Sequence, residues 1–128
     1  VRLLLDTHAL LWAALDDVRL SAAARAVLLK TENDLYLSAA SAWEIMIKYQ
    51  AGKLRLPQTP DRFLRSCLSL LALEPLSVTF DHAVKVETLP DFHRDPFDRI
   101  LVAQAQSENL ILLTKDDVFR HYPVQTLW

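Results

Sequence analysis

Four acidic residues stand near the starts of helical runs: Asp6 and Asp116 just after strand-like runs, Asp98 at the opening of a helix and Glu44 one turn into another. The most telling stretch is His93-Arg94-Asp95-Pro96-Phe97-Asp98-Arg99-Ile100-Leu101-Val102-Ala103. Asp95 before Pro96 has the form of a helix N-cap and a first helical residue, since the first turn has no use for the N–H that proline lacks. Asp98 is then the third helical residue. At about 100° per residue, Leu101, Val102 and Ala105 fall on its side of the helix. A carboxylate at the head of an inward-facing apolar stripe is costly unless its charge is compensated. Each acid also has a local explanation. Asp95 and Asp98 could form a variant capping box, and Asp6, after Leu3-Leu4-Leu5, could cap the helix that follows. Glu44 has Lys48 four residues on, a pair worth about a few tenths of a kcal/mol. That suits an exposed glutamate better than one flanked by Trp43, Ile45 and Ile47.

The elements that must position these acids follow from periodicity and caps. Arg2–Leu5 reads as a short buried strand, followed by an amphipathic helix from Ala9 to about Leu15. A helix capped by Ser21 runs to Lys30, and Leu35–Ser38 is a second strand. Ser41–Ala51 is a helix closed by Gly52. Pro60–Leu71 carries Phe63, Leu64, Cys67, Leu68 and Leu71 at helical spacing. Leu73–Val78 is strand-like, although Pro75 weakens it. Asp81–Thr88 is a short helix, Pro96 to about Asn109 a longer one, and Leu110–Thr114 the clearest strand. A helical turn around Val118–Arg120 and an edge strand at Val124–Thr126 complete the chain. Alternating short strands and helices predict an α/β fold: a central, mostly parallel sheet flanked by helices on both faces, in one domain over 1–128.

In such sheets, sites form outside the carboxyl ends of the strands. Asp6 and Asp116 follow strands, Asp98 opens the helix leading into the last long strand, and Glu44 lies one turn into the helix after strand two. All four are expected at one crevice. At about 4 Å and an effective dielectric near 20, each pair of carboxylates repels by roughly 4 kcal/mol. Protons or a cation must therefore relieve them. Oxygen-only ligands select Mg²⁺ or Mn²⁺ over zinc. Such a pocket, without a glycine loop to cradle phosphates, suggests phosphodiester hydrolysis assisted by one or two ions.

Composition removes other classes. Gly52 is the only glycine, which excludes a Walker A loop and a dinucleotide fingerprint. Cys67 is the only cysteine, so neither an intrachain disulfide nor a multi-cysteine zinc site is possible. This suits a reducing cytoplasm, and the strand-like opening predicts no secretory signal. With 14 basic and 16 acidic residues, a strongly basic nucleic-acid surface is absent overall, leaving room for a local patch. At 52% hydrophobic and 23% charged, the chain suits a globular core. Its apolar runs, such as Ala9–Leu15, are too short to span a bilayer.

Together these residues resemble the PIN-domain ribonucleases, in particular the VapC-type toxins of bacterial toxin–antitoxin pairs. The stretches that carry the resemblance are Leu3-Leu4-Leu5-Asp6-Thr7-His8, Ser38-Ala39-Ala40-Ser41-Ala42-Trp43-Glu44-Ile45 with Lys48 and Gly52-Lys53-Leu54, His93 to Arg99 with Ala103-Gln104-Ala105, and Leu113-Thr114-Lys115-Asp116. They are in the family's order and cover nearly the whole chain. The resemblance implies an acidic quartet of Asp6, Glu44, Asp98 and Asp116, with Asp6 and Asp98 as the main Mg²⁺ ligands and the other two completing the pocket, partly through water. It implies a Mg²⁺-dependent endoribonuclease toxin, with RNA as substrate and a cognate antitoxin as partner. The leucines, Trp12 and Trp43 of the helical stretches Ala9–Leu29 and Ala40–Ala51 exceed what one small core can cover and predict an antitoxin groove and a homodimer interface.

Other roles stay open at this point. Thr7 and Thr114 are either helix-start residues or hydrogen-bond partners of ligands or water. Asp95 and Asp117 are expected to cap and to face solvent. Lys48, Arg94, Arg99 and Lys115 either neutralise RNA phosphates or balance the acids. His8 and His93 are expected to be structural or solvent-facing, and Trp12, Trp43 and Trp128 core or interface aromatics. Two rival readings are a phosphoacceptor domain of the receiver type and a catalytically silent PIN-like binding module. The first wants an acidic pair after strand one, where this chain has Thr7 and His8; a dehalogenase-type phosphatase fails at His8 in the same way.

Overall fold

Three consecutive leucines form the middle of the sheet. The computed structural model describes residues 1–128, and Leu3, Leu4 and Leu5 on strand β1 (Arg2–Leu5) are fully buried. Successive side chains on a strand point to opposite faces. Leu3 and Leu5 accordingly enter one core with Leu10, Ala24, Ile45, Phe63 and Cys67, while Leu4 enters a second with Leu101, Val102, Leu112 and Phe119. A strand buried on both faces must be apolar throughout, and this one is.

The five strands lie in the order β3-β2-β1-β4-β5. They comprise β1, β2 (Asp34–Ser38), β3 (Leu73–Leu76), β4 (Ile111–Leu113) and β5 (Thr126–Leu127). Every pairing is parallel, so the expected mostly parallel sheet is parallel throughout. Pro75 is tolerated because β3 is an edge strand paired only with β2. The last strand falls slightly later than its pattern suggested.

One face is covered by α1 (Thr7–Ala14), α2 (Ala22–Leu29), α3 (Ala39–Gln50) and α4 (Pro60–Leu70). The other is covered by α6 (Pro96–Glu108) and the flanking short helical segments, with α5 (Phe80–Lys85) packed on α6. Two helices start two residues earlier than periodicity predicts, for one reason: the last polar residue before each also caps it. Asp6 accepts from the Ala9 amide, and Ser38 from the Ala40 amide. None of the helices is long and apolar enough to cross a membrane.

The register levels the strand ends. Leu5 lies beside Leu37 on one side and Leu113 on the other. The residues that follow, Asp6-Thr7, Ser38 and Thr114, therefore share one edge of the sheet, and all four are buried. Buried polar residues are the informative exceptions in a core.

Leu112→Ala removes a fully buried side chain and is expected to cost about 2–5 kcal/mol. Leu70→Ala, at a side chain 84% exposed, is expected to stay within about 0.5 kcal/mol. Urea unfolding measures both as a shift of midpoint at unchanged slope.

Candidate active site

Asp6 stands at the switch point of the sheet. From β1 the chain builds outward through β2 and β3, then returns to the other side of β1 for β4 and β5. Crossovers diverge there and leave a crevice. The Asp6 side chain is held from two sides: Oδ1 accepts from the Ala9 amide at 2.7 Å, and Oδ2 accepts the Thr114 hydroxyl proton. Thr114 Oγ1 in turn accepts the Asp116 amide at 3.0 Å, so one threonine links two of the predicted acids.

Asp6 and Asp116 line one cavity of about 360 Å³ with His8, Trp12, Lys115 and Asp117. Asp6 is only 6% exposed, and burial raises its pKa above the usual carboxylate value. The Thr114 and Ala9 hydrogen bonds pull it back down, and the charge of Asp116 pushes it up further. No ion pair holds it, although the charge of His8 also lowers its pKa.

Asp98 is the third residue of α6, as expected. Asp95 caps that helix by accepting from the Phe97 and Asp98 amides. The reciprocal bond of a capping box does not form. The Asp98 carboxylate turns instead to His93, with Oδ2 at 3.2 Å from Nε2. Burial raises its pKa to about 6, with the neighbouring charges of Asp95 and Asp116 adding to the shift and His93 opposing it.

Glu44 is attached to the same edge through Thr7, whose hydroxyl donates to Oε1 at 2.6 Å, while Lys48 pairs with Oε2 at 3.1 Å. The local i,i+4 explanation is therefore correct, and it leaves out Thr7. The quartet is thus arranged around one strand edge without closing on a point: no three His, Cys, Asp or Glu side chains form a group that could hold a metal ion as they stand.

The flanking residues separate by role. Arg99 is withdrawn from any phosphate role, because its guanidinium donates to the carbonyls of Pro90, His93 and Val86 and to the Tyr122 hydroxyl. Lys48 serves Glu44. Lys115 lies over the Trp12 ring at 5.9 Å, beside the Asp6 cavity, and Arg94 is exposed. Asp117 is exposed and pairs with Arg120. His93 has the structural role expected of it, but its partner is a site carboxylate. The spacing of His93 five residues before Asp98 was the available signal; its meaning depends on the loop between them. Trp12 is packed with His8 and Trp128, whereas Trp43 is 63% exposed, edge-on to Phe97.

The raised acid at Asp98 has a stability consequence with a definite sign. Its folded pKa, about 6, lies above the ordinary 3.8, so the folded state binds more protons between those values. The stability this group contributes is full below 3.8 and is lost as pH rises through 6. Asp98→Asn is therefore expected to stabilise the protein in EDTA at pH 7.5 by on the order of 1–2 kcal/mol, after allowance for screening of a partly exposed group. At pH 4 the gain should largely disappear. Thermal melts of both proteins at the two pH values measure it.

The PIN domain family model matches residues 3–125. Ribonuclease VapC16 of Mycobacterium tuberculosis is 42% identical over 59 residues, which are 46% of this chain and 40% of that protein. The chain's match thus spans less than half of that relative's length. Among solved structures, VapBC2 from Rickettsia felis, bound to a DNA fragment from its promoter, aligns with a TM-score of 0.76 at 18% identity, covering 99% of this chain and 98% of the other. DNA-bound VapBC from Salmonella typhimurium aligns at 0.69, also at 18% identity, over 99% and 97%. At these identities the structures establish the fold. With the family model spanning nearly every residue from β1 to the last strand, the chain belongs to the PIN domain family.

Proposed function

We propose that this chain is a divalent-metal-dependent endoribonuclease that acts as the toxin of a toxin–antitoxin pair. The observation that carries the reading is geometric: Asp6 shares a cavity with Asp116 at the switch point of a PIN sheet, and neither Asp6 nor Asp98 has an arginine or lysine partner. Acids withdrawn from solvent and without a lysine or arginine partner are what a metal site requires before loading. The VapC16 match supports RNA as the substrate class, since that protein is named a ribonuclease.

Metal dependence accords with the family; Mg²⁺, with Mn²⁺ able to replace it, is our assignment from the donor set. Every candidate donor is an oxygen, which fits a hard cation. Asp6 and Asp98 would be the main ligands, with Glu44 and Asp116 completing the site partly through water. When bound, the ion would supply a more acidic attacking water and stabilise charge on the leaving oxygen. The chain's own residues do the rest. Thr114 orients Asp6 and fixes the Asp116 backbone beside it. Thr7 and Lys48 fix Glu44 between them. Lys115 and Arg94 are the cations available to backbone phosphates, since Arg99 and Lys48 are engaged elsewhere.

Partner binding is assigned to two apolar surfaces. One, of about 490 Å³ and lined by Ala13, Leu15, Phe63, Cys67 and Leu70 among others, lies between α1 and α4. The other, of about 660 Å³, is formed by α3 and the start of α6 around Trp43 and Phe97. We assign the first to an antitoxin segment and the second to a second copy of the chain.

Cleavage of single-stranded RNA should stop in EDTA, return with Mg²⁺ or Mn²⁺, and be lost in Asp98→Asn by at least two orders of magnitude while His8→Ala retains most of it. Products should carry 5′-phosphate and 3′-hydroxyl ends, because no 2′-hydroxyl attack is involved. End-labelling decides this, and 2′,3′-cyclic ends made in EDTA would overturn the mechanism. Trp43→Arg should shift the chain from dimer to monomer in light scattering with little change in melting temperature.

A further inference from the structure

A chain of hydrogen bonds runs from Arg99 to Asp98, and its direction follows from counting protons. Arg99 Nη1 lies 3.2 Å from the Tyr122 hydroxyl oxygen, which lies 2.6 Å from His93 Nδ1; His93 Nε2 lies 3.2 Å from Asp98 Oδ2. A guanidinium only donates. Tyr122 O therefore accepts from Arg99, and its single proton is free to go to Nδ1. If Nδ1 carried a proton instead, the hydroxyl oxygen would accept twice. Its own proton would then lack a partner on a side chain only 4% exposed. With Nδ1 accepting, the neutral ring has its proton on Nε2, aimed at the carboxylate.

The relay is anchored at both ends. Arg99 is tied to the carbonyls of Pro90, His93 and Val86. Tyr122 is wedged edge-on against the rings of Phe92 and His93. The ring of His93 thus has little freedom, and the bond it donates occupies one chosen oxygen of Asp98.

We propose that His93 is a positioning residue for Asp98: its Nε2–H holds Oδ2, leaves Oδ1 free to ligate, and is itself held in one tautomer by Tyr122 and Arg99. This rests on the reading of Asp98 as a ligand of the divalent ion. Partners that orient metal-binding carboxylates from behind matter to affinity by roughly 10–100-fold.

The test uses Mn²⁺ titration calorimetry and thermal melts on the full chain, with ¹⁵N spectra of the wild-type imidazoles. Nitrogen shifts should show His93 Nδ1 unprotonated and Nε2 protonated; a proton on Nδ1 overturns the proposal. His93→Ala should weaken Mn²⁺ binding by roughly 10–100-fold. His93→Gln, which keeps an N–H at the reach of Nε2, should stay within about threefold of wild type, and Tyr122→Phe should fall between. A folded His93→Ala protein that binds Mn²⁺ like wild type overturns the proposal, as does His93→Gln losing as much as His93→Ala. If His93→Ala does not fold, the tautomer and the His93→Gln affinity decide. Wild-type protein that binds no Mn²⁺ sinks this inference together with the metal reading. Normal wild-type binding with unaffected variants sinks this inference alone.

Discussion

A carboxylate at the end of a fully buried strand is among the more expensive groups a sheet can carry. Asp6 is that group, and much of the surrounding architecture serves to hold it. The amide of Ala9, at the positive end of α1, and the hydroxyl of Thr114 both bond to it. Neither is a cation, so the compensation is incomplete and the acid remains weaker than usual. The strand order makes the arrangement possible. Because β4 returns to lie beside β1, a threonine 108 residues away in sequence reaches Asp6 directly.

Local roles and site roles are carried by the same bonds. Asp6 and Asp116 cap helical segments, and a third acid, Asp95, caps the helix that bears Asp98. Each of these caps uses one oxygen, Oδ1, and leaves the other with its acceptor positions. Capping is thus how the chain sets these acids at the sheet edge, and it leaves them able to bind something else. For Asp6, Glu44 and Asp116 the ordinary explanation and the functional one are compatible; for Asp98 the capping box gives way to the bond with His93.

The same edge shows how charge is apportioned. Lys48 neutralises Glu44, and Thr7 steadies it. Arg99, by contrast, serves the loop before α6 and the Tyr122 hydroxyl. Asp6, Asp98 and Asp116 have no arginine or lysine partner, and the electrostatic cost concentrates on the first two because they are withdrawn from solvent while Asp116 is exposed. Such strain, kept at a site when a neutral residue would relieve it, is the usual compromise between stability and function.

The sequence by itself determined whatever depends on near neighbours. Three leucines in a row make a doubly buried strand, Asp95-Pro96 starts a helix, Gly52 ends one at φ +72°, and alternating elements make a parallel sheet. Asp6, Asp98 and Asp116 were legible because each sits at or next to a helix start, where its local role is visible, and Glu44 because its neighbours inside α3 are apolar. Only the tertiary structure decided their partners. Thr114 reaches Asp6, Thr7 reaches Glu44 and Tyr122 reaches His93, across 108, 37 and 29 residues. Nothing in local spacing distinguishes Arg99, which is consumed by carbonyls, from Arg94, which is exposed. Nor does it show that the quartet lines an edge without closing on one centre. Hydrogen bonds of a few ångströms are set by how strands stack and loops return, and that information is distributed over the whole chain.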